Sequence, residues 1–218
     1  MPSGRDLAFL QHVLLAPLTF SFLDALGVPH AFTLRQDRIP TDLDKAGAVL
    51  ALHGFDFRHL VRAEQPHGNR CAVVSANERG QTIPGVDALV TADPTVTLLI
   101  RTADCGPLFF YDSKQRVVAL AHSGRKGTEG NIVAVTLQMM REAFGTRPDQ
   151  VIAVLGPTIR VPDYDVPFAD QILRQLAEAG VRQIEDSGFN TAADLSRFYS
   201  YRKEKGQTGR HFAAIHLP

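Results

Sequence analysis

Between residues 60 and 121 the apolar residues fall in short runs, Leu60–Arg62, Ala72–Val74, Ala88–Thr91, Thr97–Ile100, Leu108–Tyr111 and Val117–Ala121, parted by Gly, Pro, Asn or Asp. Runs this short are strand-length, and turn-formers between them stop each one before a helix could form. A chain patterned this way must build sheets. Two longer amphipathic segments supply helices to cover them: Asn131–Phe144, with Val135, Leu137, Met139 and Met140, and Pro167–Ala179, with Phe168, Ile172, Leu173 and Leu176. A further helix is predicted over Thr41–His53, where Leu43, Ala46, Leu50 and His53 share a face and Gly54 stops it. A last strand is predicted around Phe212, Ala214 and Ile215. With 44% hydrophobic residues, no repeat and no linker-like tract, the expectation is α+β: a single domain over residues 1–218, layered from mixed β-sheets flanked by helices.

Charge and cysteine content narrow the partners. Lysine plus arginine and aspartate plus glutamate both number 23, so no net field draws the chain to nucleic acid or an anionic membrane. An anionic small molecule must be held locally. Two cysteines, Cys71 and Cys105, make a poor disulfide framework, which points to a reducing cytoplasm. The apolar stretch Leu7–Phe22 is interrupted by Gln11, His12 and Pro17 and is read neither as a signal peptide nor as a membrane span. Oligomeric state has no signature in the sequence.

Three segments each set a metal-ligating side chain beside small or turn-forming residues: Gln65-Pro66-His67-Gly68, Thr102-Ala103-Asp104-Cys105-Gly106-Pro107 and Ala121-His122-Ser123-Gly124. Two imidazoles and one thiolate suit Zn²⁺, and three protein ligands leave a fourth tetrahedral position open for chemistry. His67, Cys105 and His122 are therefore the candidate metal ligands and the candidate catalytic centre. The remaining histidines, His12, His30, His53, His59, His211 and His216, lack such a context and are read as structural or surface residues, and Cys71 as core.

Directly after His122, Ser123-Gly124-Arg125-Lys126-Gly127-Thr128 carries two cations into the helix that starts near Asn131. Read as a glycine loop, it places Arg125 and Lys126 where they can hold phosphate beside the metal ligands. Near the carboxyl end, Tyr199-Ser200-Tyr201-Arg202 and Thr208-Gly209-Arg210 add Arg202 and Arg210 as candidate phosphate-binding groups and two phenols suited to stacking on a base.

From about His30 to the end, the chain resembles the YfiH-like family, also called the laccase-domain or multicopper polyphenol oxidoreductase family. The landmarks follow one another in the family's order: Gln65-Pro66-His67-Gly68, Asp87-Ala88-Leu89-Val90-Thr91, Ala103-Asp104-Cys105-Gly106-Pro107, Ala121-His122-Ser123-Gly124 with Gly127-Thr128, Gly156-Pro157-Thr158-Ile159 with Tyr164-Asp165-Val166, and the closing Tyr199-Ser200-Tyr201-Arg202 and Thr208-Gly209-Arg210. The resemblance implies a layered fold with mixed sheets, a zinc site whose ligands fall on His67, Cys105 and His122, and phosphorolysis of the purine nucleosides adenosine, inosine and methylthioadenosine, with adenosine deaminase activity beside it. The chain departs from the family pattern in carrying Arg125-Lys126 for Trp-Arg, Pro162-Asp163 for a pair of cysteines and Asn190-Thr191 for Cys-Thr; it has no tryptophan.

Other readings use the same residues. Cys105 and His122 could form a metal-free nucleophile and base, in an amide hydrolase or a peptidoglycan-precursor editing enzyme. A His₂Cys set also accepts copper, as in a copper-linked polyphenol oxidoreductase, although eight scattered histidines with no His-x-His pair are a poor match to a multicopper cluster. A non-catalytic metal-binding module is the third alternative.

Overall fold

In the computed structural model, which describes residues 15–35 and 50–218, the six short runs become strands among the eleven of the described residues. These are β1 (His30–Phe32), β2 (Leu60–Ala63), β3 (Cys71–Val73), β4 (Thr82–Ile83), β5 (Ala88–Thr91), β6 (Thr97–Thr102), β7 (Gly106–Asp112), β8 (Val117–Ser123), β9 (Val151–Leu155), β10 (Gln183–Asp186) and β11 (His211–Ile215). The helices are α1 (Ser21–Asp24), α2 (Arg125–Glu129), α3 (Ile132–Phe144) and α4 (Phe168–Glu178). Of the helix expected over Thr41–His53, residues 41–49 lie outside the described residues; Leu50–Leu52 are helical. The stretch Leu7–Phe22 is likewise described only from Leu15. Among the described residues, no helix is long and apolar enough to cross a membrane.

Two mixed sheets result, one in the order β1-β11-β6-β2-β4 and the other β10-β9-β7-β8-β5-β3. They pack face to face because alternate side chains of each strand point to opposite faces. Leu98 and Ile100 of β6 meet Phe109 and Tyr111 of β7, Val118 and Leu120 of β8 and Leu89 of β5 in one apolar layer. The intervening residues of the second sheet, Leu108, Phe110, Ala119, Ala121 and Val90, face outward and are covered by Ile132, Val133, Leu137 and Met140 of α3 and by Phe168, Ile172 and Leu176 of α4. Both faces of the central strands are thus buried, and β7 and β8 are buried at every residue. Each large side chain removed from water in this way contributes about 1.5–3 kcal/mol.

Three helix ends are set locally. Asn131 adopts a left-handed backbone and accepts a hydrogen bond from Ala134 N, starting α3, while Gly145, at φ 73°, ends it. The expected glycine loop after Ser123 is corrected: Arg125–Glu129 winds into α2, begun at Gly124. The physical reason is packing, since Gly127 lies against the backbone of Gly68, where a Cβ would come within 2.7 Å of the carbonyl oxygen. Two histidines read as structural serve as buried hydrogen-bond posts. His30 accepts from Phe20 N and meets Val28 O, and His211 accepts from Tyr199 N and meets Thr33 O.

Candidate active site

Period-two geometry delivers the site to one end of the sheets. β8 pairs with β7 and with β5 so that Pro107 lies opposite His122 and Ala88 opposite Ala121. His122 shares the face of Val118 and Leu120, and Asp87, just ahead of β5, shares the face of Leu89, so both point between the two sheets. His67 arrives there from the other sheet, on the segment leaving β2, and Cys105 from the turn between β6 and β7. The donor atoms of His67, Cys105 and His122 all lie within 4.8 Å of one another. The two imidazole rings meet edge to face with centroids 4.9 Å apart.

The backbone here is held in unusual conformations. Gln65, His67 and Asp104 have φ of 68°, 65° and 84°, left-handed values uncommon outside glycine. Gln65 is fixed by its amide, which donates from Nε2 to Arg101 O at 2.6 Å and accepts from Arg101 N at 2.9 Å. His67 is fixed by Asp87, whose Oδ1 accepts from His67 N at 3.0 Å and whose Oδ2 accepts from Gly68 N at 2.7 Å.

The same fully buried carboxylate receives His122 Nδ1 at 2.8 Å. A carboxylate oxygen accepts, so Nδ1 carries the proton and Nε2 keeps its lone pair. Burial, the largest influence, lowers the pKa of His122 and favours the neutral ring, with the bond to Asp87 working the other way. Burial, with the carboxylates of Asp104 and Asp87 acting in the same direction and Arg210 opposing them, pushes the Cys105 thiol up to about 12. Gly124 leaves the room Cys105 needs, because a Cβ there would come within 2.9 Å of Sγ.

This donor set fits a metal ion. Around a tetrahedral zinc with two nitrogen ligands and one sulfur ligand, donors sit about 3.3–3.6 Å apart, a spacing compatible with three donors that all lie within 4.8 Å of one another. Asp87, bonded to His122 Nδ1, would be the outer carboxylate that aims this imidazole at a bound ion.

The triad sits in a cavity of about 850 Å³. All four sequence-predicted cations, Arg125, Lys126, Arg202 and Arg210, line it, as does Tyr201. Tyr199 does not: it is buried, 5.0 Å from the His211 ring and 4.9 Å from the Arg35 guanidinium. Arg101, Tyr164 and Phe168 also line the cavity and are not among the candidate site residues read from sequence, although Tyr164 belongs to a family landmark. Arg101 adjoins the cysteine motif, a signal within reach; Phe168 reads simply as an apolar helix residue. Arg202 stacks over Tyr164 at 4.9 Å, and Arg125 pairs with Glu129 at 2.8 Å. The departures at Asp163 and Asn190 prove to be contact partners, with Asn190 Nδ2 donating to Asp163 Oδ2 at 2.8 Å.

The sequence profile of the family described as "Multi-copper polyphenol oxidoreductase laccase" matches residues 44–171 and 168–218. A purine nucleoside phosphorylase of Deinococcus radiodurans is 34% identical over an alignment that takes in 88% of this chain and 90% of the relative. Purine nucleoside phosphorylase YlmD of Bacillus subtilis is 31% identical, with 77% and 74% covered. The crystal structure of Bacillus licheniformis hypothetical protein YfiH superposes with a TM-score of 0.80 at 25% identity, covering 88% of this chain and 94% of that one. YlmD from Geobacillus stearothermophilus superposes at 0.81 with 23% identity, covering 88% and 92%, a likeness of fold.

Proposed function

The chain belongs to the multi-copper polyphenol oxidoreductase laccase family, and from that footing we propose that it is a zinc-dependent purine nucleoside phosphorylase acting on adenosine, inosine and methylthioadenosine. The observation that carries this reading is the convergence of two imidazoles and a thiol in one cavity with cations drawn from four segments of the chain. Relatives named purine nucleoside phosphorylase, aligned over most of their length, supply the reaction class.

In phosphorolysis a phosphate oxygen forms a bond to the anomeric carbon of the ribose while the bond from that carbon to the purine nitrogen breaks, its electron pair leaving on the base. Arg125, Lys126, Arg202 and Arg210 are suited to binding the phosphate and holding it against its charge. Tyr164, Phe168 and Tyr201 provide apolar surface for the purine. His67, Cys105 and His122 would hold the zinc ion, which when bound supplies a Lewis acid that polarises a substrate group. Deamination of adenosine is proposed as a second activity of this site.

A single three-donor group among the described residues supports one ion rather than a multicopper cluster. A metal-free cysteine nucleophile is poorly served, since burial keeps the Cys105 thiol protonated. The test is to incubate the protein with inosine or adenosine, with and without phosphate, and to separate the products by chromatography. Ribose 1-phosphate and free base, formed only with phosphate, are expected. Release of free ribose irrespective of phosphate would instead establish a hydrolase, and conversion of adenosine to inosine alone a deaminase.

A further inference from the structure

Two carboxylates grip the same two dipeptides. Asp163 accepts from Asn190 Nδ2 at 2.8 Å and pairs with Lys203 Nζ at 2.6 Å. The residues next in line turn to Asp104: its Oδ1 accepts from Thr191 Oγ1 at 2.7 Å and its Oδ2 from Arg202 N at 2.7 Å. Its carbonyl accepts from Ile159 N at 2.9 Å and Thr158 Oγ1 at 2.7 Å. A single buried residue, beside Cys105 and at a φ of 84°, thereby ties the cysteine turn to three other parts of the chain. One of them carries Tyr201 and Arg202 on the cavity wall, with Arg202 laid over Tyr164.

We infer that Asp104 is a positioning residue for nucleoside binding, fixing the Tyr201–Arg202 wall relative to the triad through its bonds to Thr191 and Arg202. The inference rests on the phosphorylase reading for the identity of the ligand. A carboxylate suits this place because both partners donate, and each of its oxygens can accept one of them. Asparagine can do nearly the same, with Oδ1 accepting from Arg202 N and Nδ2 donating to the Thr191 hydroxyl, whereas alanine takes this partner from the fully buried Thr191 hydroxyl and from the part-buried Arg202 N–H.

The experiment measures inosine Kd by calorimetry without phosphate, KM and kcat with phosphate, and zinc content, for wild type, Asp104→Ala, Asp104→Asn and Thr191→Val. Asp104→Ala is expected to weaken inosine binding and raise its KM on the order of tenfold, with zinc retained, and Asp104→Asn to recover most of that loss. If Asp104→Ala fails to fold, Thr191→Val, which leaves the carboxylate in place, carries the test with an expected rise of about threefold in both constants. Unchanged Kd and KM in the variant that carries the test, or Asp104→Asn as impaired as Asp104→Ala, overturns the inference. Wild type that binds inosine without turning it over removes the phosphorylase reading and leaves the Kd comparison to decide; wild type that does not bind inosine overturns both.

Discussion

Asp87 and Gly124 show how single atoms shape the donor set. Each oxygen of Asp87 accepts, from His122 and His67 on one side and from Gly68 on the other. An asparagine there would turn an N–H₂ group toward one of those donors. Asp87→Asn is expected to weaken zinc binding about 10- to 100-fold in a chelator competition. Gly124 has an ordinary extended backbone, so alanine brings no strain of its own, only a methyl group 2.9 Å from Cys105 Sγ. Gly124→Ala should therefore still fold, at a cost of about 1–3 kcal/mol in urea unfolding, yet lose zinc affinity on the order of tenfold, read by the same competition. Equal affinities in variant and wild type would show that Cys105 is not a ligand.

At the level of elements, the helices α3 and α4 hold the second sheet in place, and their cost of damage follows from burial. Leu176 is fully buried between α4 and the sheet, so Leu176→Ala should destabilise the fold by about 2–5 kcal/mol in urea unfolding without changing zinc stoichiometry. These two helices were readable because their apolar stripes repeat at helical spacing over three turns. The strands over residues 60–121 were readable from their punctuation. Four strands, β1, β4, β9 and β10, lie outside the predicted runs, and for two of them the reason is plain. Val151–Leu155 is apolar at every position, with no alternation to separate a buried strand from a buried helix, and Thr82–Ile83 is too short to carry a pattern. α2 reads as a loop because Gly127 lowers helix propensity, and only its contact with Gly68, distant in sequence, makes glycine the residue that fits. At the site, motif context pointed to the three donors and four cations, but the roles of Asp87, Asp104 and Arg101 depend on contacts across 19 or more residues, as between Asp87 and Gly68.

Across the whole molecule, the buried histidines couple stability to pH. Burial depresses His211 to about 4, against 6.5 for an exposed ring. Between those values the unfolded chain takes up a proton that the folded chain refuses, so stability falls as pH drops from about 6.5 to 4 and this contribution levels off below. His211 alone accounts for about 3 kcal/mol over that window, with His30 and His122 shifted in the same direction. Denaturant unfolding of wild type and His211→Gln from pH 4 to 7 should show a shallower slope in the variant; identical slopes would mean that His211 takes up its proton as readily in the folded chain as in the unfolded one.

The central claim, that phosphorolysis depends on one zinc ion held by His67, Cys105 and His122, is tested most directly by metal titration. Protein stripped with a chelator would be titrated with zinc while inosine phosphorolysis is followed. Activity rising in proportion to added zinc and levelling at one equivalent, with no recovery in Cys105→Ser, is the predicted result. Full phosphorolysis by the stripped protein would contradict it.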